Sequence, residues 1–136
     1  MIILGIDFGL KKIGLAYSDE TALVAAPFKT KYIRSLDDAL TFLIQLKQEI
    51  KFEKIVLGYP VSVINKETII MKLIKKMQAE LQEKINVPVE LWDETYSTKT
   101  AEYQAQGRKR ANADSEAARI ILQEYLDYQN ERRKHE

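Results

Sequence analysis

Three acidic positions in this chain combine a residue type and a sequence setting that could support metal-dependent chemistry. Asp7 ends an apolar run, where an ionised carboxylate is costly unless a nearby group offsets its charge. Asp93 and Glu94 end the strand-like segment VPVELWDE, and Asp114 is predicted to begin a helix. Carboxylate oxygens are the ligands that hard cations such as Mg²⁺ or Mn²⁺ prefer in proteins. The acids therefore predict a divalent-cation site, if the fold brings them together.

The composition narrows the chemistry. The 136 residues include no cysteine, and the one histidine, His135, is next to the last residue. This argues against disulfides, thiol catalysis and His-based sites, and favours a cytoplasmic protein. The start MIILGID has no basic segment typical of a signal peptide, and no apolar run reaches the roughly 20 residues of a membrane span. Length and even composition predict a single domain over residues 1–136.

The hydrophobic pattern predicts the elements that must position the acids. Strands are expected at residues 2–8, 12–18, 25–33, 54–60 and 87–94. Helices are expected after a cap at Ser35, over 67–84 on Ile69, Ile70, Leu73, Met77 and Leu81, over 98–106 with a stop at Gly107, and from Asp114 to about Tyr128. Three strands in hairpin order followed by strands alternating with helices predict an α/β fold, a mixed five-stranded sheet flanked by helices.

Strand and helix periods then place the acids. Alternation puts Asp7 on one face of its strand with Ile3, Gly5 and Gly9, so small neighbours leave space beside the carboxylate. Asp93 and Glu94 point to opposite faces, and the sequence does not say which one shares a face with Asp7.

The last predicted helix has its core stripe on Ala117, Ala118, Ile121, Leu122 and Tyr125. Three or four positions before this stripe comes Asp114, which is therefore expected on the buried face. Each acid also has a structural explanation: a helix cap for Asp114, solvent contact for Asp93 and Glu94, and a buried lysine partner for Asp7. Together, the acids suit two cations that activate a water and stabilise the leaving oxygen in phosphodiester hydrolysis.

Four motifs give the chain a resemblance to a known family. They are GIDFGLKKIGLAYSD (5–19), IVLGYP (55–60), WDETYSTKTAE (92–102) and ADSEAARIILQEYLD (113–127). In this order they resemble the YqgF/RuvX family of RNase H-like nucleases, over essentially the whole chain. The resemblance implies an RNase H-like fold and a catalytic acid set of Asp7, Glu94 and Asp114, with Asp93 as an alternative metal ligand. It also implies Mg²⁺, with Mn²⁺ as a substitute.

The resemblance implies nucleic acid as the partner. The first expectation is a structured RNA, the 16S ribosomal RNA precursor cut in 5′-end maturation, with the ribosomal subunit as a further candidate partner. The alternative is branched DNA, a Holliday junction, which would require a dimer; the chain is expected to be a monomer or a weak homodimer. Phosphate contacts are assigned to Lys11, Lys12, Arg108, Lys109 and Arg110, although short basic clusters are often ordinary surface.

Two departures and two rival interpretations accompany this hypothesis. Thr95 replaces a family arginine, and residues 61–67 read VSVINKE where the family usually has an Asn and a Gly-rich turn. A non-catalytic RNA-binding adaptor of ribosome biogenesis therefore stays open. GIDFG also resembles the phosphate-binding hairpin of actin-like ATPases, but those proteins need two related domains, and no Walker motif is present.

Overall fold

A computed structural model describes residues 1–60, 68–94 and 110–135, with the backbone alone at Glu94 and at residues 110–112. These described residues form five strands and three helices. The strands are β1 (Ile3–Phe8), β2 (Lys12–Ser18), β3 (Ala25–Tyr32), β4 (Lys54–Pro60) and β5 (Val89–Glu94); the helices are α1 (Leu36–Glu49), α2 (Ile69–Lys84) and α3 (Arg110–Lys134). The strands form one sheet in the order β3-β2-β1-β4-β5. Strand pairs β1–β2 and β2–β3 are antiparallel, and β1–β4 and β4–β5 are parallel. The predicted mixed sheet is confirmed.

Local chemistry explains most element boundaries. Ser35 caps α1 by accepting a hydrogen bond from the backbone N–H of Asp38 at 3.1 Å, as the sequence predicts. Pro27 lies on β3, which is an edge strand, where its missing N–H is tolerated. A register shift beside Pro27 marks a bulge in the β2–β3 pairing. Strand β4 lies between two neighbours and is buried over Ile55–Gly58, which explains its continuous apolar run.

The sheet is covered on both faces. Helices α1 and α2 pack on one face, against Leu4, Ile6, Ile55 and Leu57. Helix α3 packs on the other, where Ala118, Ile121, Leu122 and Tyr125 meet Ile3, Ala16 and Val56. Gln123 ties α3 to the β2–β3 turn, accepting from the N–H of Ala25 at 2.8 Å and donating to the carbonyl of Leu23 at 2.9 Å.

Two predicted details of α3 are wrong. Helix α3 begins at Arg110, so Asp114 lies in the second turn of the helix and cannot be its N-cap. The Arg-Ala-Asn-Ala segment before Asp114 contains good helix formers, which explains the longer helix. Ala117 is half-buried, and Ser115 is buried instead.

On α2, Ile69 is 74% exposed, while Met71 and Ile74 are buried beside the correctly predicted Met77 and Leu81. The predicted helix over 98–106, Gly107 and the loop at 61–67 lie outside the described residues. No helix within the described part of the chain is long and apolar enough to cross a membrane.

Candidate active site

Asp7 lies one residue before the end of β1 and is half-buried. Its face of the sheet is the one that α3 covers, because Gly5, two residues before it, contacts that helix. A Cβ atom added to Gly5 would lie 2.8 Å from Cβ of Leu122 and 3.3 Å from the carbonyl oxygen of Ala118. The predicted space beside Asp7 is therefore the space that lets α3 approach the strand.

Gly14 brings Asp114 to the same place. It is the cross-strand partner of Asp7 on β2, so the two residues share a face. A Cβ atom added to Gly14 would lie 2.0 Å from the carbonyl oxygen of Asp114 and 3.2 Å from its Cβ. No other residue type leaves room for this contact. The backbone at Asp114 thus rests directly on the strand position opposite Asp7.

The Asp114 carboxylate already has a cation beside it. Its Oδ2 atom is buried and lies 2.8 Å from Nζ of Lys12, which projects from the same face of β2. Among the described residues, Lys12 is the ion-pair partner of this oxygen, which accepts no hydrogen bond from them. The side chains of Lys12 and Asp114 are 31% and 25% exposed. A buried carboxylate oxygen with unused lone pairs is suited to bind a cation.

The strand register separates Asp93 from Glu94. Trp92 pairs with Gly58 and packs with the α3 cluster, whereas Asp93 pairs with Tyr59, which packs on the α1–α2 face. Position 94 pairs with Pro60 and therefore belongs to the α3 face, as Asp7 does. The sequence left this choice open, and the register favours position 94.

Asp7 and position 94 also lie at the same end of their strands. Both are near the carboxyl ends of parallel strands separated by β4, so they are two strand spacings, or roughly 10 Å, apart across the sheet. The register also sets position 94 two residues, or about 7 Å, further along the strands. Gly58 lies on the same face of the intervening strand and has no side chain to separate them. The carboxyl edge of parallel strands is where α/β folds bind ligands.

A second polar cluster, which the sequence analysis missed, lies on the same face near the start of β5. Nζ of Lys54 is 2.8 Å from Oε2 of Glu90, and both groups contact the hydroxyl of Tyr125. Burial raises the pKa of Tyr125. Burial lowers the pKa of Lys54, but Glu90 and Tyr125 outweigh it and leave that pKa above its usual value. Trp92 meets the Tyr125 ring edge-on, with centroids 5.4 Å apart. The cluster fixes α3 against β4 and β5.

The predicted phosphate-binding residues are placed only in part. Lys11 is exposed at the β1–β2 turn, and its carbonyl accepts a hydrogen bond from the N–H of Ile33 at 2.9 Å. Lys12 is held by Asp114. Arg108 and Lys109 lie outside the described residues, and Arg110 begins α3.

The described side chains contain no cluster of three or more His, Cys, Asp or Glu residues that could hold a metal. Two carboxylates of the predicted set, those of Asp7 and Asp114, are nevertheless on one face, and Asp114 has a buried oxygen that accepts no hydrogen bond from the part of the chain that the structure describes. This oxygen-only donor set fits a hard divalent cation.

Comparisons with known proteins agree on one family. Residues 1–128 match the family model described as "RuvX: Holliday junction resolvase". A protein of Caldicellulosiruptor saccharolyticus is 37% identical over 96% of this chain and 99% of its own. One of Maridesulfovibrio salexigens is 32% identical over 93% of this chain and 98% of its own. Both are described as "Putative pre-16S rRNA nuclease".

Solved structures agree on the fold. RuvC of Thermus thermophilus in complex with a Holliday junction substrate has a TM-score of 0.63 at 14% identity, over 95% of this chain and 96% of that one. The fowlpox virus resolvase in complex with Holliday junction DNA has a TM-score of 0.57 at 12% identity, over 94% and 98% of the two chains. The predicted RNase H-like fold is thereby confirmed.

Proposed function

Because the chain belongs to the RuvX family, we propose that it is a divalent-cation-dependent endonuclease that matures the 5′ end of 16S ribosomal RNA precursor. The observation that supports this most is the contact at Gly14, which brings Asp114 onto the face of Asp7. The pre-16S rRNA nuclease description of relatives that cover almost the whole chain supports the choice of substrate. We also propose that residues 1–136 act as one domain in the cytoplasm.

Asp7, Glu94 and Asp114 would hold the cation, most simply Mg²⁺ with Mn²⁺ as a substitute. When bound, it supplies charge neutralisation at the phosphate and a water of lowered pKa as the attacking group. Asp93 is left out of this set because the register puts it on the other face.

The protein's own residues hold the two described carboxylates in place. Gly5 and Gly14 let α3 lie against the sheet, so the backbone at Asp114 cannot move away from Asp7 without losing buried contacts. Lys12 neutralises Asp114 when no metal is present, which limits the repulsion between the two acids. Once the carboxylate has another cation, the ammonium can turn to a phosphate of the substrate.

Further contacts with the phosphates are assigned to Lys11, Arg108, Lys109 and Arg110. Charged donors bind phosphate oxygens strongly and make binding depend on salt. A structured precursor would meet these residues from the exposed side of the β1–β2 turn, where Lys11 lies.

The test is cleavage of two labelled substrates, a 16S precursor leader and a four-way DNA junction, each with Mg²⁺, with Mn²⁺ and with a chelator. The wild-type protein is expected to cut the leader in a metal-dependent manner, and Asp7→Asn is expected to lose cleavage while keeping its fold. Cutting of the junction alone would replace the RNA substrate with branched DNA, in keeping with the family's description. A folded protein that binds the leader without cutting either substrate would be an adaptor.

The strand register allows a more specific test of the acid set. Glu94→Gln is expected to reduce cleavage strongly, because position 94 shares the face of Asp7, while Asp93→Asn is expected to cut at close to the wild-type rate. The reverse result would show that the end of β5 is placed differently in the active protein.

A further inference from the structure

The two edges of the sheet differ in charge, although the chain as a whole has a net charge of only +1. Residues 22–36, which contain the edge strand β3, include Lys29, Lys31 and Arg34 and no acid. The opposite edge strand, β5, carries three acids and no base, and the groove between β5 and α3 is lined by Glu90 and Glu124 beside Arg132. A polyanion would therefore be attracted to the β3 side of the sheet and repelled from the β5 side.

The β1–β2 turn adds to the cationic side. The hydrogen bond from the N–H of Ile33 to the carbonyl of Lys11 fixes that turn against the end of β3. Lys11, Tyr32 and Arg34 therefore meet at one corner of the molecule, and we call these three residues the cationic corner. The Tyr32 side chain is 65% exposed and that of Arg34 is 92% exposed. An exposed aromatic ring with cations nearby is the composition of a surface that binds single-stranded nucleic acid.

The cations of this corner and of the adjoining edge retain donors for a ligand. Nε of Arg34 lies 3.8 Å from Oδ2 of Asp38, a long surface contact, and the same oxygen already accepts the backbone N–H of Arg34 at 2.9 Å. Nζ of Lys29 and Nζ of Lys31 lie 5.0 and 5.4 Å from the centre of the Phe42 ring. A cation–π contact positions an ammonium without using its N–H donors, so each can still donate to a phosphate.

The register connects the corner to the candidate active site. Tyr32 pairs with Lys12, so it lies on the face of Asp7 and Asp114, and β2 alone separates its strand from β1. Two strand spacings are about 10 Å, and Tyr32 lies two residues, or about 7 Å, along the strand from the position level with Asp7. The separation of about 12 Å corresponds to roughly three to four nucleotide steps of a stacked strand. A strand with one phosphate at Asp7 could thus cross Lys12 and place an unpaired base on Tyr32.

We propose that the cationic corner binds a single-stranded RNA segment of the substrate, with one base stacked on Tyr32 and phosphates held by Lys11 and Arg34. The inference rests on the proposed function and names where that substrate lies. A base inside a double helix has both faces covered by its neighbours, so the corner selects an unpaired flank rather than the duplex part of a precursor.

The experiment measures binding of a fluorescently labelled, unstructured single-stranded RNA in a chelator, so that cleavage plays no part. Tyr32→Ala is expected to weaken binding by about 5- to 100-fold, and Tyr32→Trp is expected to retain it, because stacking needs an aromatic face. Lys11→Ala and Arg34→Ala are each expected to lower the salt dependence of the logarithm of affinity by about 0.7. The matched controls are Tyr128→Ala, which removes a 49% exposed ring from the β5 side, and Lys72→Ala and Lys76→Ala, which remove exposed charges from α2.

Losses confined to the corner variants, with melting temperatures unchanged, would support the proposal. Equal losses in the controls, or unchanged binding by the corner variants, would overturn it; if the wild-type protein still cleaves the leader, the proposed function stands. A wild-type protein that neither binds this RNA nor cleaves the leader would overturn both. Binding to a duplex or a four-way junction that is insensitive to Tyr32→Ala would also overturn the corner's role.

Discussion

Replacing Gly14 by alanine tests whether α3 must touch β2 for the site to form. The added methyl group would lie 2.0 Å from the carbonyl oxygen of Asp114 and 2.5 Å from its carbonyl carbon. Both are backbone atoms of a helix, which cannot turn aside as a flexible side chain can. To reach an ordinary contact distance, helix and strand must separate by at least ~1 Å at this point. We expect the free energy of unfolding to fall by about 3 kcal/mol, the upper end of the usual cost of overpacking.

The effect on cleavage is expected to exceed the effect on folding. A displacement of about 1 Å at a reacting group can lower the rate by roughly 100-fold, and Asp114 is the residue displaced. Gly5→Ala is the comparison variant, because its methyl group would meet Ala118 and Leu122, four and eight residues further along α3 and about 6 and 12 Å from Asp114 along the helix axis. That variant is expected to lose stability, and its folded fraction is expected to lose less cleavage than that of Gly14→Ala. Urea unfolding and single-turnover cleavage measure the two effects separately.

Two results would refute this reasoning. If Gly14→Ala unfolds at the wild-type urea concentration, the helix does not approach β2 as closely as described. If it is destabilised but its folded fraction cleaves normally, Asp114 does not take part in the reaction.

Three further predictions concern single side chains. Lys12→Met should lower the free energy of unfolding by about 1–2 kcal/mol in chelator, because Asp114 loses its charge partner. The same variant should bind Mn²⁺ more tightly in calorimetric titration, because no ammonium competes for the carboxylate. Weaker Mn²⁺ binding would contradict this expectation. Asp19 accepts hydrogen bonds from the N–H groups of Leu23 and Val24 and from Thr21, which lower its pKa from 3.8 to about 2. The stability that ionised Asp19 contributes is therefore complete above pH 3.8 and lost as the pH falls towards 2. The difference in melting temperature between wild type and Asp19→Ala should disappear over that range. A difference that stays constant with pH would contradict this expectation. Asn86 follows α2 with a left-handed backbone, at φ 62°. Asn86→Ala should therefore lower the free energy of unfolding, measured in urea, by about 1 kcal/mol, whereas Asn86→Gly should not lower it.

The order of elements could be predicted from the sequence because each strand carries its own pattern. Strand β4 is apolar throughout because it is buried on both faces, and Pro27 marks β3 as an edge strand. Both patterns lie within a single strand, so they can be recognised in the sequence without knowing the rest of the fold. Boundaries were harder to predict where good helix formers precede a cap-like residue, as at Asp114.

What depends on pairing between strands could not be predicted. The sequence fixes that Asp93 and Glu94 point in opposite directions, but only the β4–β5 register assigns position 94 to the face of Asp7. The glycines near Asp7 indicated open space, yet nothing local shows that α3 fills it, or that Lys12 pairs with Asp114. Ile69 is similar: its helical spacing suits the core, but it lies at the first position of α2, beyond the cover of the sheet.

The tie between Gln123 and the β2–β3 turn has a consequence for the order of events during synthesis. The hydrogen bond to Ala25 joins residues 98 positions apart, and the apolar face of β1, β2 and β4 is closed by α3, the last described element. While the ribosome is still making residues 110–134, the strands made first have no helix over that face, and Asp7 has no Asp114 beside it. A nascent chain at this stage therefore carries Asp7 and Glu94 but no assembled centre, so the ability to cut RNA would arise only once α3 has been made and has packed on the sheet.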